Sequence, residues 1–313
     1  MKQFLSKLYY NSSFIHHVMQ PFAHGFEYMR YGFTPDRVKI KREFKKNLGY
    51  KLNLSEPETL NEKIQWLKLH DRTALHTKCA DKFSVRAYVF DKVGDRYLIP
   101  LVYQTKKVRN IISENIPDYP IIIKTNHDSS GGIIVRDKSH VNWDLVQKKL
   151  NKNLSVNYYY RFKEWQYKHI EKRIIVEKLL TDNQGAVPFD YKFHCFHGKV
   201  VFIQVDIDRF TIHKRNMYDR NWKLLPFNWC NFVDGKPKLE NGKLLKKPES
   251  LDEMIAVSEK LSEPFKYVRI DLYDLEGDIY FGEVTFHPCS GAKVIHPVEW
   301  DYKLGAMIDL QNE

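Results

Sequence analysis

The sequence predicts an α+β fold in which antiparallel sheets carry the chemistry, not a strictly alternating parallel sheet. Two observations lead there. Before residue 75 the chain carries helix start and stop signals in a basic background. From residue 97 short apolar runs alternate with helical stretches, and several are paired across Gly-containing turns, as antiparallel ribbons are. With 313 residues the chain has room for two or three compact units and a sizeable core. The expected boundaries are 1–75 (helical and basic), 76–118, 119–180 and 181–313.

Taken in order, Asp36–Leu48 reads as a helix stopped by Gly49, and Thr59-x-x-Glu62 is a capping box opening "LNEKIQWLKLH". Asp81–Val93, closed by Gly94, reads as the next helix. "YLIPLVY" is expected as a strand and Lys107–Asn115 as a helix. "PIIIKT" and "GGIIVRD" predict a hairpin, Val141–Leu154 an amphipathic helix, and "RIIVEKLL" (Arg173–Leu180) another strand. "DYKFHCFHGKVVFIQVDIDR" predicts a long ribbon turned at His197-Gly198. A helix near Ser250–Leu261 precedes two strands in "YVRIDLYDLEGDIYFGEVTF", and helices close the chain around Glu299–Ile308.

The formal net charge of +11 points to an anionic partner: a nucleotide, an acidic glycan, a phospholipid surface or a nucleic acid. The basic run Arg37–Lys46 also reads simply as a solvated helix face. Four scattered cysteines without a Cys-x-x-Cys pair suit reduced thiols in a cytoplasmic protein. The first twenty residues lack a continuous apolar stretch and make a poor signal peptide, and no run reaches the length of a membrane span. A cytoplasmic protein is expected, with a peripheral contact to the inner face of the membrane left open by its basic, aromatic start. P-loop, Rossmann, H-E-x-x-H and H-R-D signatures are all missing.

Three stretches carry candidate chemistry. In "YPIIIKTNHDSSGG" a lysine, Lys124, leaves an apolar strand, which costs desolvation unless its ammonium meets an anion. Ser129, Ser130, Gly131 and Gly132 follow, and glycines let backbone N–H groups approach phosphate oxygens closely. A phosphate clamp and an ordinary hairpin both fit this stretch. In "RIIVEKLL", Glu177 and the backbone after it are placed to read an adenine edge, though an apolar run ending in Glu is also a common edge strand. Asp271 and Glu283 lie on neighbouring strands. With a three-residue loop, Glu276-Gly277-Asp278, they face each other, where like charges destabilise a sheet unless a divalent cation lies between. A two-residue turn would put them on opposite faces. Arg269 shares the face of Asp271, and Asp190, Lys192 and His194 alternate onto one face of the ribbon, Lys192 as a candidate for the γ-phosphate. His194-Cys195-x-His197 is not a recognised closed zinc site.

The order of these stretches, with "LNEKIQWLKLHD", "ADKFSVRAYV", "DYKFHCFHGKV" and "VRIDLYDLEGDIYFGEVTFHPCSG", resembles the TupA-like ATP-grasp proteins of polysaccharide gene clusters, over roughly residues 40–308. The resemblance implies an ATP-grasp fold, with two α+β subdomains gripping ATP between antiparallel sheets behind a helical N-terminal extension. It implies that Lys82 and Lys124 contact the phosphates or adenine, and that Ser129, Ser130, Gly131 and Gly132 cover the triphosphate. Glu177 and the Leu179 backbone would hold the adenine end, and Asp271 and Glu283 would bind Mg²⁺ or Mn²⁺. Lys192 and Arg269 would stabilise the transferring phosphoryl group. Thr285 stands where many relatives have Asn, which puts a second metal in doubt. The implied reaction is ATP-dependent ligation of a carboxylate to an amine, with a uronic-acid glycan or its precursor and an amino acid or amine as partners. A glycosyltransferase of the same clusters, and a basic protein binding nucleic acid or anionic lipid without catalysis, are the competing readings. The basic residues lack the aromatic platform of a nucleic-acid binder.

Overall fold

The computed structural model describes residues 34–129, 131–207, 213–233 and 236–311; the expectations for the first 33 residues and for Ser130 lie outside them. Helix α1 (Asp36–Leu48) stops at Gly49, which takes the left-handed conformation and returns its N–H to the Lys45 carbonyl at 3.0 Å. Helix α2 (Leu60–His70) opens on the expected capping box: the Thr59 hydroxyl accepts the Glu62 N–H at 3.1 Å, and Glu62 Oε2 accepts the Thr59 N–H at 3.3 Å. Two short helices follow, α3 (Ala74–Ala80) and α4 (Val85–Val93). The helix expected from Asp81 starts only at Val85. The Asp81 carboxylate accepts from the Phe83 N–H and the Ser84 hydroxyl, and this side-chain turn competes with the helix.

A four-stranded antiparallel sheet has the order β1-β4-β2-β3, from β1 (Leu101–Thr105), β2 (Ile121–Thr125), β3 (Ile133–Val135) and β4 (Ile174–Lys178). The first strand starts at Leu101, not Tyr97. Lys107–Asn115, expected as a helix, forms only two single 3₁₀ turns, Val108–Asn110 and Ser113–Asn115. There the Thr105 hydroxyl captures the Lys107 N–H and the Asn110 amide, and such local bonds hold the segment out of a helix. Helix α5 (Trp143–Ser155) covers this sheet through Val146 and Leu150, and a short helix, α6 (Tyr158–Phe162), leads on towards β4.

The larger sheet is also antiparallel, ordered β12-β11-β5-β6-β7: β5 (Asp190–Phe196), β6 (Lys199–Ile207), β7 (Lys214–Asp219), β11 (Tyr267–Leu275) and β12 (Asp278–Thr285). Between β7 and β11 lie β8 (Asn228–Cys230), two-residue strands β9 (Phe232–Val233) and β10 (Lys236–Pro237), and helix α7 (Leu251–Ser262). The chain closes with β13 (Val294–His296), paired to β8, and α8 (Glu299–Ala306). Both ribbons turn on two residues with positive φ, His197-Gly198 and Glu276-Gly277.

Period-two alternation gives the large sheet two different faces. Phe193, Cys195, Val268, Ile270, Leu272 and Phe281 point to one side and form a core with α4 and α7. On the other side the half near the His197 turn is apolar: Phe196, Phe202 and Tyr267 pack with Leu60, Ile64 and Leu67 of α2 and Leu304 of α8. The remaining half of that face is charged. Among the described residues no helix is long and apolar enough to cross a membrane.

Candidate active site

The charged half-face is built row by row from the strand register. Glu283, Asp271, Lys192 and Gln204 are successive partners across β12, β11, β5 and β6; Thr285, Arg269 and His194 form the next row, and Asp190 pairs with Asp206, which pairs with Arg215. The turn joining β11 and β12 is the two-residue one, Glu276-Gly277, so the expected three-residue loop is corrected. The carboxylates nevertheless share a face, because the register shifts between Asp271 and Leu272: Leu272 pairs with Phe281 and Asp271 with Glu283, leaving Gly282 as the extra residue of a bulge.

The cation between the two carboxylates is Arg269. Its Nε and Nη2 reach the two oxygens of Asp271 at 2.6 and 2.7 Å, and Nη2 also reaches Glu283 Oε1 and the Thr285 hydroxyl, each at 3.0 Å. The Thr285 hydroxyl lies 3.0 Å from the same Glu283 oxygen. Lys192 contacts Asp190 and lies 3.5 Å from Asp206 and 3.7 Å from Asp271. Asp206 is itself held by Arg215 Nε at 2.7 Å. Burial raises the Asp271 carboxyl to about 7 against the pull of Arg269 and Lys192, with Asp190 and Glu283 adding to the rise. For Glu283 burial also opposes the charge, but Lys82 and then Arg269 bring it down to about 2. Burial, followed by Arg269, Arg215 and Lys192, keeps His194 neutral, its Nδ1 2.8 Å from the Tyr267 hydroxyl. His197 stands apart at the turn and accepts the Asp309 N–H at 2.9 Å.

Lys82 ties this half-face to the small sheet. Its N–H bonds the Asn126 carbonyl at 3.0 Å and its ammonium contacts the Asp128 carbonyl. Fully buried Asn126 sets this approach, donating to Asp81 Oδ1 at 2.7 Å and the Glu171 carbonyl at 2.9 Å while accepting the Arg173 N–H at 2.7 Å. On the small sheet Lys124 reaches Glu177 Oε2 at 2.9 Å. In the hairpin loop Ser129 meets the hydroxyls of Tyr167 and Tyr158. Gly131 has φ 79°, a conformation that favours glycine, and a Cβ on Gly132 would lie 2.4 Å from Ile122 Cδ1 and Cγ1, so the Ile122 side chain would have to move to admit one. Leu179 does not offer its N–H to a ligand, since that group bonds the Pro120 carbonyl at 3.0 Å.

Sequence reasoning passed over Arg86, which lies 3.2 Å from Glu177 Oε1, and Asp206 with Arg215. Arg86 follows Lys82 by four residues, a spacing that could have flagged it. It also passed over a buried network behind the turn that follows β12. Lys68 Nζ lies 2.9 Å from the Ser290 carbonyl and 2.6 Å from its hydroxyl, and that hydroxyl also bonds Glu164. Cys289, Ser290 and Gly291 are all left-handed there, a strained run that packing must hold in place.

Two carboxylates and a hydroxyl make an all-oxygen donor set of the kind that takes Mg²⁺ or Mn²⁺ together with substrate phosphates. Asp271 and Glu283 are direct cross-strand partners on one face, a placement of two like charges that a divalent cation would relieve, so the residues fit such an ion. Among the described residues no group of three or more His, Cys, Asp or Glu is gathered to hold a metal alone.

The pattern of the TupA-like ATPgrasp family matches residues 62–309, which contain every residue of this site. The chain belongs to the TupA-like ATP-grasp family. Its α+β architecture of antiparallel sheets is the ATP-grasp fold. Solved structures that the chain is similar to include D-alanine–D-alanine ligase from Bacillus anthracis, at 14% identity and TM-score 0.41, covering 74% of this chain and 64% of that one. VanG D-Ala:D-Ser ligase from Enterococcus faecalis follows at 15% and 0.39, covering 67% and 52%. An ADP complex of N5-carboxyaminoimidazole ribonucleotide synthetase stands at 14% and 0.40, covering 72% and 50%. The chain spans about half to two thirds of the length of these proteins. No curated protein matches it.

Proposed function

We propose that this ATP-grasp protein is an ATP-dependent carboxylate–amine ligase. The observation that carries the reading is the charged half-face, where Lys192, Arg269, Asp271 and Glu283 share one surface and Lys82 joins it to the end of β2, the strand that carries Lys124 with its partner Glu177. On this reading the triphosphate lies along that line. The base sits at the Glu177 end, and the γ-phosphate meets Arg269 and Lys192. Lys178 and Leu179 have spent their N–H groups on Pro100 and Pro120, so the next backbone donor for the base is Leu180. Ser129, Gly131 and Gly132 close over the phosphates.

The substrate carboxylate oxygen attacks the γ-phosphorus, the bond to ADP breaks, and an acyl phosphate forms. An amine then attacks the acyl carbon, forming the C–N bond as phosphate leaves and the amine proton passes to solvent. Arg269 and Lys192, both with largely buried side chains, hold the charge that moves onto the transferred group. Asp271 and Glu283 would hold Mg²⁺ or Mn²⁺, whose chemistry is to neutralise phosphate charge. In the family's setting of polysaccharide synthesis the carboxylate is that of a uronic acid on a glycan or its precursor, and the nucleophile is an amino acid or another amine. Exposed Arg37, Lys41, Lys45 and Lys46 on α1 support an anionic partner, whether this glycan or a membrane surface. ADP release from Mg-ATP, screened over uronate and amine pairs, tests the reading. Release needing both substrates supports it, and sugar transfer without ADP formation contradicts it.

A further inference from the structure

Arg86 belongs to one half of the molecule and acts on the other. Its helix, α4, is built into the large-sheet core through Val85, Tyr88 and Val89. The guanidinium leaves that core and crosses to the small sheet, where Nη1 donates to the Ile99 carbonyl at 2.9 Å and to Glu177 Oε1 at 3.2 Å. Glu177 lies on an interior strand, paired with Leu101 on one side and Ile122 on the other, and its side chain is 9% exposed. Lys124 holds the second oxygen at 2.9 Å. The carboxylate is therefore gripped from two directions, one oxygen per cation. A carboxylate has about four acceptor positions, so about two stay available, and none of them can donate.

We infer that Arg86 is a positioning residue that sets base specificity: by fixing Glu177 it presents an acceptor-only edge to the C6 substituent of a purine. This rests on the nucleotide reading above. A 6-amino purine donates a hydrogen bond to that edge. A 6-oxo purine sets its carbonyl oxygen against the carboxylate, and both acceptors lose their partners in a buried place. Without Arg86 the carboxylate is held only by Lys124 and turns away from the base.

The test is calorimetric titration of the full chain with Mg-ATP and with Mg-GTP, for the native protein, Arg86→Gln, Arg86→Lys and Glu177→Gln. The native chain should prefer ATP by about 100-fold or more, in line with sites built around a substrate hydrogen bond. Arg86→Gln should narrow that ratio about tenfold, and Arg86→Lys should restore part of it. Glu177→Gln, whose amide can also donate to a 6-oxo group, should bring the two nucleotides within about tenfold, independently of how Arg86→Gln folds. A ratio unchanged in Arg86→Gln, with both affinities falling together, overturns the inference and leaves Arg86 as packing. A native chain that binds both nucleotides equally overturns it while the nucleotide site stands. A native chain that binds neither overturns both.

Discussion

Asp271 and Glu283 stand opposite each other on β11 and β12 because Gly282 adds one residue to β12 between the pair and its two-residue turn. A Cβ at Gly282 would lie 3.1 Å from the Asp271 carbonyl oxygen and 3.1 Å from the Tyr273 ring. Gly282→Ala therefore presses on the strand that carries Asp271. The expected loss is about 1–2 kcal/mol of stability by urea unfolding, with weakened Mg-ATP binding, as overpacked sites show. Native stability and native binding together would remove the bulge from the account.

Asn126 joins β2, the Asp81-Lys82 turn and the chain entering β4 through three side-chain hydrogen bonds of 2.7–2.9 Å. Asn126→Ala strips three hydrogen bonds from a fully buried position, so a loss of about 3 kcal/mol is expected in urea unfolding. Mg-ATP affinity should fall with it, since the same bonds place Lys82. A change below about 0.5 kcal/mol would show that the neighbours re-pair on their own.

Much of this site was legible in the residues. Alternation within "DYKFHCF" and "VRIDLYD" put Asp190, Lys192, Arg269 and Asp271 on shared faces, and the capping box at Thr59 and the stop at Gly49 were local signals that held. The bulge was not legible, since a lone glycine in a strand does not say whether it pairs or protrudes. The Lys107–Asn115 segment misled because its polar groups bond locally, which a helical pattern does not reveal. Arg86, Arg215 and the Lys68 network depend on contacts between distant segments, which spacing along one chain cannot show.

The Lys68 network carries a signature in pH. Burial lowers the Lys68 ammonium from 10.5 to about 8, with nearby Glu164 opposing the change. Between those values the unfolded chain holds a proton that the folded chain has lost, so this group makes stability rise with pH. The native protein should gain stability relative to Lys68→Met as pH goes from 8 to 9.5 in paired thermal melts. Parallel curves would mean that Lys68 stays fully charged in the fold.

The most direct measurement for the whole account is calorimetric binding of Mg-ATP to the native chain and to Asp271→Asn with Glu283→Gln. The account predicts Mg²⁺-dependent binding by the native protein, weakened at least about 100-fold in the double variant because its two carboxylates hold the ion that carries the phosphates. A native chain that ignores Mg-ATP, or a double variant that binds it as tightly, would contradict the assignment of this half-face as the nucleotide and metal site.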